Sequence, residues 1–346
     1  MATAMRGALA IGSACAAALW GALALFSTGC DNSTGAASTA ANGAPKPAPK
    51  SRYVIGIIAK SGDNPVYLAA RAGAEAAARE ITAQSGVQIE IVWRSPTQED
   101  SARQYELIGE LATSGVDGLA ISCTDAALAT PAIDAAVTAG IQVVTFDADA
   151  PDSKRFAFYG IDDREAGATV FRELAGVMGE TGRVAVLAGN RAAENIRQRV
   201  IGAAFELRAH PGMEVVGVFH HDENPMAANA AMRAAAERHG PIDGWALVGG
   251  WPLYDPAGLD GIPPETRIVS MDPLPPALDH AAAGRVHKFV AQPYFGWGYE
   301  SVRTLFAKLH EGKSPEKTVT QAPLRVIDPD DAEAFREEWI GWVGKP

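Results

Sequence analysis

The chain has 346 residues, 47% of them apolar, and a formal net charge of -11. That length suits two lobes better than one domain, and the apolar content is enough for buried cores. The acidity excludes a nucleic-acid partner, whose phosphates require a basic surface, and excludes adhesion of the folded part to an anionic membrane.

The first segment reads as an address. Arg6 is the only charge before an apolar stretch from Gly7 to Phe26, which Ser27-Thr28-Gly29-Cys30 follows. A charged start, an apolar run and small residues at the cut mark a secretory signal over residues 1–30. The cysteine after small residues resembles the lipobox of bacterial lipoproteins. That resemblance implies an acylated Cys30 as the first mature residue, although Ser27 stands where an aliphatic residue is usual. An uncleaved signal-anchor helix is the alternative, since about 20 apolar residues span a bilayer. Either tethers the protein outside the cytoplasm, with no other membrane contact.

Residues 31–52 read as a flexible tether. Asp31 to Lys50 carries no large apolar side chain and so cannot bury a core. Its end, Pro45-Lys46-Pro47-Ala48-Pro49, favours extended backbone.

From Tyr53 onward strands and helices alternate. Tyr53-Val54-Ile55-Gly56-Ile57-Ile58 is a short apolar run suited to a strand buried on both faces. Asn64 is placed to cap a helix and Pro65 to open it. An Ala-rich helix is expected over 66–84, a strand over 89–93, a helix over 98–113 and a strand over 118–122. A helix over 126–139 and a strand over 141–146 follow. The cycle then restarts with helix 165–178, strand 184–187, helix 194–209, strand 215–219, helix 227–239 and strands 245–248 and 268–271. The pattern predicts two doubly wound α/β lobes with parallel sheets, joined near Tyr159 to Asp163.

Ligands of such sheets bind beyond the carboxyl ends of strands, and with two lobes the cleft between them is the natural site. The candidates are therefore the residues just past each strand. They are Asn64 and Tyr67, Asp147, Asn195 and Arg199, Glu223, Trp251, Asp272, and Gln292 after Phe289-Val290-Ala291. Carboxylates, arginine, amides and aromatics suit a neutral polyol, because each hydroxyl both donates and accepts. Each position alone has an ordinary structural explanation; their shared placement is the signal. Cys123, the only cysteine of the globular part, reads as a small core residue at a strand end.

On these residues the chain resembles the periplasmic sugar-binding proteins of the ribose/galactose type, which share their fold with LacI-like repressor cores. The stretches that carry the resemblance are Asp63-Asn64-Pro65, Val144-Thr145-Phe146-Asp147, Arg197-Gln198-Arg199 with Gly202 and Phe205, Met271-Asp272 and Ala291-Gln292. It implies a hinged type I periplasmic-binding-protein fold in which Asn64, Asp147, Arg199, Asp272 and Gln292 contact sugar hydroxyls. It also implies three crossovers, with 53–160 plus 293–321 in one lobe and 161–292 plus 322–346 in the other. Delivery to an ABC permease follows from the same resemblance. The chain departs from the family pattern at Val66, at Ala148 and at Gly249-Gly250-Trp251-Pro252, where Trp251 is placed to supply a stacking surface.

An enzyme is disfavoured because the sequence holds no Gly-x-Ser-x-Gly elbow, no phosphate-binding glycine loop and no clustered Cys ligands. Carboxylate-pair glycoside cleavage through Asp147 and Asp272 stays open at this point. His220 and His221 point to opposite faces of a strand, so neither a metal nor another cofactor is expected. A leader stands where a DNA-reading helix pair would be needed. The expected protein is a monomeric, extracytoplasmic solute-binding lipoprotein for a monosaccharide or small polyol. A sensor presenting a sugar-like signal to a membrane receptor is the alternative.

Overall fold

The computed structural model describes residues 50–344. The leader, Cys30 and most of the tether lie outside the described residues. The first half runs β1 (Arg52–Ile58), α1 (Val66–Ser85), β2 (Gln88–Arg94), α2 (Ser101–Thr113), β3 (Gly118–Ile121), α3 (Ala126–Thr138), β4 (Gln142–Phe146) and β5 (Ala157–Gly160). The second runs α4 (Asp163–Met178), β6 (Gly182–Ala188), α5 (Glu194–Glu206), β7 (Met213–His220), α6 (Pro225–His239), β8 (Gly244–Leu247), β9 (Arg267–Met271), α7 (Pro275–Ala282) and β10 (Lys288–Ala291). The tail adds α8 (Tyr294–Phe306), β11 (Val319–Gln321), β12 (Arg325–Ile327) and α9 (Ala332–Val343).

Two six-stranded sheets result, ordered β2-β1-β3-β4-β5-β11 and β7-β6-β8-β9-β10-β12. The two orders match position by position, so each strand end in one lobe has a counterpart in the other. Each lobe keeps the doubly wound order, whose ligand crevice opens at the strands' carboxyl ends. The chain changes sheets after β5, after β10 and between β11 and β12. One expectation is corrected: β12 runs antiparallel to β10. β11 runs parallel to β5 and so ends at the cleft edge of its sheet; after only Ala322 to Leu324 the chain enters the other sheet from its cleft edge, so β12 runs opposite to β10.

Local chemistry sets the helix starts. Asp100, Asp125, Asp162 and Asn224 each cap a helix by accepting backbone N–H bonds, as short polar side chains do at an N-cap. These caps place α2 later, and α4 and α6 earlier, than hydrophobic periodicity alone suggested. Asn64 bonds the N–H of Val66 at 3.2 Å. Pro65 is the cap residue of α1 rather than its first helical residue.

Two helix pairs are packed through glycine. A Cβ on Gly73 would lie 2.0 Å from the Phe295 carbonyl oxygen, and one on Gly298 would lie 1.9 Å from that of Ala70. In the second lobe a Cβ on Gly167 would lie 1.8 Å from the Arg199 carbonyl oxygen, and one on Gly202 1.8 Å from that of Arg164. The close approach of α4 and α5 thus fixes where Arg199 leaves its helix. We expect Gly202→Ala to cost about 1–3 kcal/mol by forcing the helices apart, measured as a shifted urea midpoint. α9 packs on α7 and also on α1, with Trp339 edge-on to Tyr294, so it touches helices of both lobes. Cys123 is fully buried, and burial pushes its thiol pKa up.

Candidate functional site

Residues from both sheets meet around one small cavity of about 20 Å³, room for roughly one water. Asn64, Tyr67 and Asp147 line it from the first lobe; Asn195, Arg199, Glu223, Trp251, Asp272 and Gln292 line it from the second. All nine residues singled out in the sequence are therefore brought together. A larger compartment of about 1180 Å³ adjoins it and shares Asn64, Glu223 and Trp251 in its wall.

The two strand-end aspartates hold matching positions. Asp147 follows β4 and Asp272 follows β9, and both adopt positive φ, 57° and 64°. Aspartate tolerates this left-handed backbone better than most residues. It ends strand pairing and turns each carboxylate toward the cavity. Asp147 accepts from the Tyr67 hydroxyl at 2.8 Å, the Ser122 hydroxyl at 2.7 Å and the Asn195 amide at 3.3 Å. Asp272 accepts from the Gln292 amide and the Tyr294 hydroxyl, each at 2.8 Å, and from the Gly250 N–H at 3.2 Å. Burial raises the pKa of Asp147 even though Lys60 and Arg199 pull against it.

Arg199 is 2% exposed. It donates to Asp163 at 2.8 Å, to the Val248 carbonyl at 3.1 Å and to Gln292 at 2.9 Å. Burial pushes Asp163 up to about 6, partly offset by this bond.

Lys60 is 3% exposed at the end of β1. It pairs with Glu99 of its own lobe at 2.7 Å and with Glu223 of the other lobe at 2.9 Å. Glu223 also accepts from the Asn190 N–H at 3.1 Å. Burial opposes the lysine charge, yet Glu223, Glu99 and Asp147 hold its pKa above the ordinary value. Burial pushes Glu99 up to about 8 against the pull of Lys60. Glu223 stays below the usual carboxylate range because Lys60 outweighs its burial.

A carboxyl group raised in the folded state contributes its stability in full below its unfolded pKa, near 4.3. That contribution is lost as pH rises through the folded value. Glu99 should therefore make the protein progressively less stable between about pH 4.3 and 8 and add no further slope above. Thermal melts of Glu99→Gln across that window are expected to decline less than those of the parent.

Trp251 is buried and packs edge-on to His221, centroids 5.0 Å apart. Trp297 also lines the cavity, tilted against Tyr67. Sequence reading missed Lys60, Glu99, Asp163, Tyr254 and Trp297. Lys60 was within reach of the strand-end rule, since it stands two residues past the end of β1. Trp297 sits on α8, a helix the sequence pattern did not announce.

Two lobes whose strand ends close over a shared polar cavity, with the chain passing between them three times, define a hinged ligand-binding protein. Residues 55–314 match the family model described as periplasmic binding protein domain, and the chain belongs to that family. The chain is 29% identical over 167 residues to the ribose import binding protein of Bacillus subtilis, 48% of this chain and 52% of that protein. That match thus spans about half the relative's length. The D-ribose/D-allose-binding protein of Pseudomonas aeruginosa is 26% identical over 295 residues, 79% of this chain and 88% of the relative. Among solved structures, the glucose-galactose binding protein GanP of Geobacillus stearothermophilus superposes with a TM-score of 0.72 at 25% identity, covering 82% and 99% of the two chains. An ABC transporter solute-binding protein of Burkholderia graminis in complex with D-arabinose shares the fold, with a TM-score of 0.74 at 22% identity and coverage of 81% and 96%.

Proposed function

We propose that this protein captures a monosaccharide or similar small polyol between its lobes outside the cytoplasm and delivers it to an ABC permease. The observation that carries this reading is the convergence of Asn64, Asp147, Arg199, Asp272 and Gln292 on one cavity from the two matched sheets. Carboxylates, amides and a guanidinium at close quarters answer hydroxyls that both donate and accept. Relatives named for ribose and allose, and fold neighbours bound to arabinose, tagatose and myo-inositol, support the same ligand class.

The nine lining residues are proposed as ligand contacts. The lobes, 53–160 with 293–321 and 161–292 with 322–346, are proposed to hinge at the three crossings. Closure adds the second lobe's contacts and expels water, and ligand favours the closed form only through that added contact energy. In this reading the protein is not an enzyme, acts as a monomer and is held at the membrane by an acylated Cys30.

Thermal-shift screening against pentoses, hexoses and inositols tests the reading. Ligand at a hundred times its Kd adds about 2.7 kcal/mol and should raise Tm by several degrees, with the ligand recovered unchanged. No shift with any polyol, or release of a product, would overturn it.

A further inference from the structure

Trp297 holds a buried donor that the rest of the site leaves unused. It stands in the first turn of α8, is 1% exposed and lines the inner cavity. Its Nε1–H has no hydrogen-bond partner. Among the described residues that line this cavity, no other buried side-chain nitrogen or oxygen is left without one. Orphaned buried polar groups are rare and call for an explanation. An indole N–H donates and never accepts, so the missing partner is an acceptor.

The packing holds the indole in place. Its ring is tilted on Tyr67 and Phe146, with centroids 6.0 and 6.5 Å away, and stands edge-on to Tyr294 at 5.2 Å. The next residue, Gly298, lets α8 lie at backbone distance from Ala70 of α1, which fixes the helix beneath it. Tyr67 gives its hydroxyl to Asp147, and Tyr294 gives its hydroxyl to Asp272. The indole therefore packs against both tyrosines that hold the matched aspartates of the two lobes. The cavity it lines, about 20 Å³, admits a group the size of one water, which is also the size of one hydroxyl. The outer compartment shares Asn64, Glu223 and Trp251 with it and leaves room for a ring that bears such a hydroxyl.

We infer that Trp297 is a specificity-determining residue whose Nε1–H donates to one ligand hydroxyl seated in the inner cavity. This inference rests on the small-polyol reading and extends it to a residue outside the nine proposed contacts. A hydroxyl that accepts from the indole keeps its own proton for a carboxylate, so a donor-only indole and acceptor-only aspartates together read a group that does both. A sugar or cyclitol without that hydroxyl leaves the indole N–H buried and unpaired. A site built to bond a hydroxyl rejects the analogue that lacks it.

Titration calorimetry on the full chain tests this with D-ribose, D-arabinose, D-glucose, D-galactose and myo-inositol, and with each monodeoxy analogue of every probe that binds. Trp297→Phe keeps an aromatic ring among Tyr67, Phe146 and Tyr294 but removes the donor. It should weaken the intact probe about tenfold. For one monodeoxy analogue, already weaker in the parent, the same substitution should change affinity by less than about twofold, the sign of a direct coupling between indole and hydroxyl. A variant with 3-benzothienylalanine at position 297, where sulfur replaces the N–H with little change of shape, should give the same pattern. If Trp297→Phe weakens the probe and all its monodeoxy analogues by one common factor, or leaves the probe unaffected, the inference falls while the polyol reading stands. A loss in Trp297→Phe that the sulfur variant does not share assigns the effect to packing and also overturns the inference. If none of the five probes binds, both fall.

Discussion

Asp272→Ala is expected to weaken ligand affinity by two orders of magnitude or more. The carboxylate organises the Gln292 amide, the Tyr294 hydroxyl and the Gly250 N–H. Its removal leaves three buried donors without their acceptor, at about 1–3 kcal/mol for each group left unsatisfied, where 1.4 kcal/mol is tenfold in affinity. Alanine also fits poorly at the left-handed φ of 64°. Asp272→Asn separates the two effects, because asparagine tolerates that backbone and keeps one acceptor oxygen. It should melt close to the parent yet still bind more weakly. Calorimetry with any ligand found by screening reads the affinities. Parent-like binding in Asp272→Ala would remove Asp272 from the site.

Arg199→Met is expected to abolish binding and to cost about 3–5 kcal/mol of stability, the usual penalty for breaking a buried pair from one side. Asp163 would be left as a buried carboxylate without its guanidinium, and Gln292 and the Val248 carbonyl would lose a donor. Asp163 is already raised to about 6, and losing Arg199 raises it further. A raised carboxyl favours the folded state at low pH and loses that contribution as pH climbs through the folded value. The deficit in Arg199→Met should therefore be smaller at pH 5 than at pH 8 in urea titrations. Adding Asp163→Asn should recover most of the stability but not the binding, since the donor to Gln292 stays absent. Recovery of both would make Arg199 a structural residue only.

The glycine pair between α4 and α5 links these site effects to the fold. Arg199 reaches the cavity from a helix that lies against α4 at backbone distance, over Gly167 and Gly202. A shift of that helix moves the guanidinium and everything bonded to it, so Gly202→Ala is expected to reduce affinity as well as stability.

Much of this protein was legible in its residues. Apolar runs of four to seven residues alternating with helical periodicity fixed the fold class, because buried parallel strands and amphipathic helices have different repeats. Placing the candidate residues at strand ends anticipated the cavity on which they converge, because a doubly wound sheet offers its ligands that edge. What stayed hidden were the pieces that depend on partners distant along the chain. β11 and β12 are three residues each and exist only as edges of completed sheets. Lys60 is tied to Glu99, 39 positions away in its own lobe, and to Glu223, 163 positions away in the other lobe. Local sequence carries periodicity, turn chemistry and capping. The balance of buried charge belongs to the assembled cleft, because desolvation and Coulomb interaction depend on distances that only the folded chain sets.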